Sequence, residues 1–150
     1  MTEDQIPLQR SRNMAAIKGK DTKPEVYLRK LLFSEGIRYR KNVRTMPGCP
    51  DLWLSKYRTV VFVNGCFWHR HRDCQYAYTP KTRYEFWQKK FEQNIERDLK
   101  VRGELFEKKI KVLTVWECTI RKMQKSEDVR ESELKDIIGF LNSETLELEL

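Results

Sequence analysis

This sequence of 150 residues has no long apolar run. Its best apolar stretch is only a few residues, Thr59-Val-Val-Phe-Val63, so no membrane-spanning helix is expected. Glycine and proline are scarce, at 6 and 5 residues, which excludes collagen-like and linker-type chains. No apolar core follows a basic start at the N-terminus, so no secretory signal is visible and a cytoplasmic location is expected. There are only two histidines and four cysteines. In a reducing compartment those cysteines are expected as metal ligands or free thiols, not disulfides.

What is abundant is charge, and it is unevenly placed. Residues 1–50 hold 11 basic and 5 acidic groups, residues 51–100 hold 10 and 6, and residues 101–150 hold 9 and 11. A basic body with an acidic end suits a protein that meets a polyanion on one side. Aromatic residues lie among the basic ones (Phe67, Trp68, Tyr76, Tyr78, Tyr84, Phe86, Trp87), and such rings can stack on bases or pack a core.

Periodicity and punctuation give one α/β domain. A short helix is expected over 11–18. A second starts at the capping-box spacing Thr22-Lys-Pro-Glu25, continues through Val26, Leu28, Leu31, Leu32 and Phe33, and stops at Gly36. Strands are expected over 37–43, 51–54, 59–63 and 110–116, with a break at Met46-Pro-Gly-Cys-Pro50. Residues 65–80 read as a long loop. A long charged helix over 84–108 carries Phe91, Ile95, Leu99, Leu105 and Phe106 on its apolar side, and a last helix starts at Ser126. This order implies a central mixed β-sheet flanked by helices.

Two constellations carry chemistry. Cys66, His71 and Cys74 follow the spacing Cys-x4-His-x2-Cys, and Cys118 comes after a strand. Three thiolates and an imidazole make a closed tetrahedral set suited to structural Zn²⁺. His69 is an alternative ligand, ordinary buried cysteines are the alternative explanation, and Cys49 is read as a spare thiol. The second constellation is weaker. Asp51 opens a strand, as metal-binding carboxylates of nucleases do, but the neighbouring strand Val61-Phe-Val-Asn64 brings no acid, and a turn or cap would explain Asp51 equally. His69 could take a proton from water or serve structure. Glu25 has the capping explanation, and Asp98 that of a solvated helix charge.

The sequence resembles the very short patch repair (Vsr) DNA mismatch endonuclease family. The resemblance rests on Arg10-Ser-Arg-Asn-Met14, Asp21-Thr22, Glu25, Pro47-Gly48, Pro50-Asp51 and Gly65-Cys-Phe-Trp-His69 with His71 and Cys74. It continues through Thr82-Arg83, Phe86-Trp87, Asn94, Glu96-Arg-Asp98 and Val115-Trp-Glu-Cys118.

It implies a restriction-endonuclease-like fold and a Mg²⁺-dependent nick beside the T of a T:G mismatch left by deaminated 5-methylcytosine. It further implies Asp51 and the Val63 backbone carbonyl as Mg²⁺ ligands, His69 as the catalytic histidine, Asp98 as its support and Glu25 near the metal's water shell. Cys66, His71, Cys74 and Cys118 would hold zinc. Phe67, Trp68 and Trp87 would wedge into the duplex, while residues 1–20, including Arg12, Asn13 and Met14, would form an arm embracing DNA.

The expected partner is double-stranded DNA carrying a T:G mismatch, met by a monomer near the nucleoid, with general mismatch-repair proteins as candidate further partners. Residues 124–150 are expected as an acidic helical tail that packs on the body or meets a partner.

Several positions depart from the pattern. Asn64 stands where a histidine is expected, Cys49 where a polar or basic residue is, and the spacing to Cys74 is one residue longer. Arg70 and Arg72, alternating with the histidines, are expected to add phosphate contacts. Two alternatives stay open: a same-fold nuclease of other specificity, and a zinc-stapled module that binds mismatched DNA without cutting.

Overall fold

The computed structural model describes residues 21–150. The helix expected over 11–18 and the arm residues Arg12, Asn13 and Met14 lie outside the described residues.

Helix α1 (Lys23–Ser34) begins where Thr22 caps it, the Thr22 hydroxyl accepting from the Glu25 N–H. Leu28 and Leu32 turn inward. Glu35 caps the other end, and Gly36 follows at φ +81°, a left-handed geometry that favours glycine. Three antiparallel strands come next: β1 (Arg40–Lys41), β2 (Leu52–Leu54) and β3 (Thr59–Asn64), with a 3₁₀ turn over Ser55–Tyr57. The strand expected over 37–43 is thus only two residues long, because Asn42 turns to positive φ straight after it.

The long helix α2 (Tyr84–Glu107) leads to β4 (Lys111–Trp116), which runs parallel to β3 in the register Val61↔Leu113 and Val63↔Val115. Helix α3 (Glu117–Lys125) follows without a gap. Helix α4 (Glu127–Leu141) begins at Ser126, whose hydroxyl accepts from the Val129 N–H. The last strand, β5 (Glu147–Glu149), lies parallel to β4 at the sheet edge. The mixed sheet has the order β1-β2-β3-β4-β5.

Strand alternation divides the interior into two layers. Val61, Leu113 and Val115 face Leu28 and Leu32 of α1, Ile120 and Met123 of α3, and Ile137, Phe140 and Leu141 of α4. Val60 and Val112 point the other way, against Leu105 of α2. The 124–150 segment is therefore part of the frame, and it ends in a strand as well as a helix. Lys111 locks it further: its buried ammonium donates to the carbonyls of Phe140, Leu141 and Ser143 at the end of α4, which is where the helix dipole favours a cation.

Two expectations for apolar faces are corrected. Ile95 and Leu99 are 42% and 56% exposed, and Phe33 is 53% exposed. The middle of α2 faces the loop over 65–83 and solvent, so Ile95 and Leu99 lack a sheet to pack on.

Candidate active site and metal centre

Residues 65–83 contain no helix or strand, yet the loop is tied down along its length. Arg70 is its internal staple. Its guanidinium donates to the carbonyls of Phe67, Ala77 and Tyr78 and lies 3.9 Å from the Phe91 ring centroid. Arg70 is thus engaged inside the loop.

Helix α2 supplies the outer anchors. Trp87, Phe91, Asn94 and Asp98 recur at helical spacing on one side of it. Phe67 packs edge-on against Trp87 and Phe91 at centroid distances of 5.6 and 5.3 Å. Asn94 donates to the Trp68 carbonyl at 3.0 Å. The Asp98 carboxylate meets His69 Nδ1 at 2.8 Å, so the Nδ1–H donates to it and Nε2 is left as the free acceptor. Among the aromatics, Phe67 and Trp68 are half-buried. Trp87, at 3% exposed, forms the floor beneath them.

Cys66, His71, Cys74 and Cys118 converge, with all ligand atoms within 4.8 Å of one another. Cys118 Sγ lies 3.4 Å from His71 Nδ1, close to the edge of a tetrahedron built from Zn–S and Zn–N bonds, roughly 3.6 Å. The donor set and spacing fit a structural zinc site. Burial pushes the Cys66 thiol up to about 12, and a bound divalent cation would hold it as thiolate. The His71 ring stacks on Trp116 at 4.2 Å, and the Trp116 indole N–H donates to Glu149 of β5. His69 points to Asp98 instead, and Cys49 is exposed and apart.

Asp51 and Glu25 meet across the sheet edge. The turn before β2 is held close to α2 by Gly48, at φ +76°. A Cβ there would come within 2.5 Å of Val101, so only glycine fits. Asp51 Oδ2 accepts from the Val63 N–H at 2.7 Å, which fixes the carboxylate beside the end of β3. Buried Glu25 accepts from the Asp21 N–H at 2.9 Å, one residue upstream of the usual capping-box donor, and hydrogen-bonds Asp51. The Asp51 carboxyl is pushed up to about 7, chiefly by burial, with Glu25 adding to the rise. The Val63 N–H and nearby His69 oppose it.

Asp51, Glu25, Val63, Asn64, Trp68 and His69 line one cleft of about 890 Å³. Of the expected site residues, Glu25, Asp51, Val63, Trp68 and His69 thus line one cleft, with Asp98 joined through His69, and the zinc-type quartet lies on the loop that carries His69 and Trp68. Sequence reasoning missed Arg44 and Glu117, which line the same cleft. Glu117 is paired with Arg121 at 2.8 Å. Its place directly before Cys118 was the available signal.

Comparison with known proteins agrees with this geometry. The family model for the DNA mismatch endonuclease Vsr matches residues 3–76. The type II nicking enzyme V.NmeAIP of Neisseria meningitidis serogroup A is 47% identical over 121 residues, covering 81% of this chain and 86% of that protein. The DNA mismatch endonuclease Vsr of Escherichia coli K12 is 43% identical over 119 residues, covering 79% and 76%. The type II nicking enzyme V.XorIIP of Xanthomonas oryzae pv. oryzae is 38% identical over 120 residues, covering 80% and 88%. With that identity over most of both chains, and the Asp51, His69 and zinc-type residues gathered around one loop, the chain belongs to the Vsr DNA mismatch endonuclease family and is a DNA nicking endonuclease.

Proposed function

We propose that this nicking endonuclease acts on double-stranded DNA beside the T of a T:G mismatch, with Mg²⁺ at Asp51 and zinc in the Cys66–His71–Cys74–Cys118 quartet. The observation that carries the reading is one cleft in which two touching carboxylates, half-buried Asp51 and buried Glu25, share a wall with an Asp98-oriented His69. Two acids pressed together, with the proton affinity of Asp51 raised, suit a divalent cation, which relieves their repulsion. Asp51, the Val63 carbonyl and, through water, Glu25 would hold Mg²⁺, and the ion when bound would stabilise charge developing on the scissile phosphate.

The chain's own residues then divide the work. Asp98 holds the His69 ring in one orientation with the proton on Nδ1. His69 Nε2 takes a proton from the attacking water as it approaches phosphorus. Phe67 and Trp68 stack into the duplex next to the weak wobble pair, with Trp87 as their support. A T:G pair costs less to unstack than a matched one, which favours insertion there. Asn64 can accept and donate hydrogen bonds but cannot titrate, so it contributes no acid/base step.

The relatives named type II nicking enzymes favour a second reading, in which the nick follows a different lesion or sequence context. A labelled duplex library with one T:G pair in varied flanking sequence, matched controls, and Mg²⁺ present or omitted separates the two. The proposal expects a Mg²⁺-dependent nick confined to the mismatched duplexes. It also expects loss of nicking in Asp51→Ala and His69→Ala with zinc content and circular dichroism unchanged. Equal cutting of matched duplexes would favour the second reading, and normal nicking by both variants would overturn the assigned site.

A further inference from the structure

Beyond His69 the catalytic cleft opens into a second cleft of about 720 Å³, the two sharing Gly48, Phe62, Asn64 and His69. Their charges differ. The catalytic cleft holds Glu25, Asp51 and Glu117 against Arg44. The second is lined by Arg70, Arg72, Arg97 and Arg102. Its acids are already engaged: Asp98 holds His69, and Glu149 accepts from the Trp116 indole. Arg70 is bonded within the loop, and Arg102 reaches Glu147 at 3.5 Å.

That leaves Arg72 and Arg97, both exposed, with no hydrogen bond or ion pair among the described residues. Each sits on anchored backbone. Arg97 precedes Asp98 on α2, and Arg72 follows His71 of the zinc-type quartet. The same cleft exposes Ile95 and Leu99, one helical turn apart. Two uncommitted guanidiniums beside an apolar step match a chain of alternating phosphate and deoxyribose. An apolar partner surface would leave the arginines unmatched, and a free anion would leave the aliphatic pair in water.

We propose that this second cleft is a DNA-backbone track, in which Arg72 and Arg97 each bind a phosphate flanking the scissile one while Ile95 and Leu99 pack against the intervening sugar. The track continues from the catalytic cleft through His69, so it would fix the register of the duplex relative to the cutting site. It rests on DNA as the substrate and not on the mismatch reading.

The test is the salt dependence of binding to a T:G duplex and to its matched counterpart, both without added Mg²⁺. Releasing counterions from two phosphates contributes about 1.8 to the slope of log affinity against log salt. Arg72→Ala/Arg97→Ala is expected to lose about that much slope and to bind roughly tenfold more weakly at moderate salt, equally on both duplexes. Arg97→Glu alone, placed on a surface helix, should give a loss of the same kind with zinc retained. Ile95→Ser/Leu99→Ser should weaken binding with the slope unchanged. Arg130→Ala, on α4 and outside both clefts, should change neither.

An unchanged slope in both arginine variants, or an equal loss in Arg130→Ala, would overturn the track. Zinc content measured on each variant separates a damaged loop from a lost phosphate contact, and if Arg72→Ala loses zinc, Arg97→Glu alone decides. Because the matched duplex reports the track by itself, failure to nick at T:G would overturn the mismatch reading while leaving the slope result standing.

Discussion

The sheet core and the 65–83 loop are ordered by opposite means. Between α1, α3, α4 and the sheet, Leu28, Leu113, Val115, Ile120 and Ile137 are fully buried and each contributes by area. The loop has little such burial. It is held by discrete links: the zinc-type quartet, the Arg70 staple, the Asn94 bond to Trp68, and the Asp98 bond to His69. Distributed burial tolerates the loss of one contact, whereas point links fail one at a time. His69 and the aromatics Phe67 and Trp68 are on the side that fails link by link, so function should be lost before the fold.

The largest break is metal removal. Structural zinc binding is worth about 10 kcal/mol or more at neutral pH. Cys118→Ala, or chelation, is expected to release zinc and abolish nicking while amides of β3 and β4 stay protected from hydrogen exchange. If β3 and β4 exchange as fast as the loop, the two regions form one unit and the contrast fails.

Leu113→Ala is the reciprocal experiment. Truncating this fully buried side chain should cost about 2–5 kcal/mol in denaturant unfolding. Zinc affinity, titrated below the unfolding transition, should not change. A parallel fall in zinc affinity would show that the core sets the geometry of the loop.

The Asp51 site gives a pH-dependent break of smaller size. The folded protein keeps the Asp51 proton up to about pH 7, while the unfolded chain releases it near 3.8. The folded state therefore binds the extra proton in that window, and this contribution to stability falls as pH rises from about 4 to 7. Asp51→Asn should flatten that dependence and melt higher than the parent protein at pH 8 in the absence of Mg²⁺. Mg²⁺ should raise the parent's melting temperature more at pH 8 than at pH 5.5. A pH-independent Mg²⁺ effect would mean that proton and metal do not compete at this carboxylate.

The smallest effect is that of Asn94→Ala. Losing its bond to the Trp68 carbonyl should cost about 1 kcal/mol. The expected reading is a severalfold loss of nicking with zinc binding and global unfolding unchanged. A change in the unfolding midpoint alone would place Asn94 with the core.

Much of this was legible in the residues themselves. The strand over 59–63, the long helix from Tyr84, and the start of α1 at Thr22 follow from alternation, periodicity and capping chemistry. The quartet followed from short spacing plus one distant cysteine. Helix α3 was missed because it joins β4 directly, with no glycine, proline or side-chain cap at Trp116 to mark the boundary. Strand β5 was missed although Leu146-Glu-Leu-Glu-Leu150 alternates cleanly, because glutamate is a poor strand former and an edge strand depends on its neighbour. The exposure of Ile95 and Leu99 was not legible, since periodicity shows which residues share a face and not whether anything covers it. The pairing of His69 with Asp98, 29 residues apart, came from the family resemblance and not from spacing.

The short final strand also bears on solubility. A sheet presents unpaired backbone groups at both rims, and those rims invite other molecules to add a strand. Here β1 is only two residues long, and β5 is three residues that begin with Glu147 and end with Glu149. Two copies meeting rim to rim would press like charges together. The acidic end of an otherwise basic molecule thus works against copies adding to one another along the sheet.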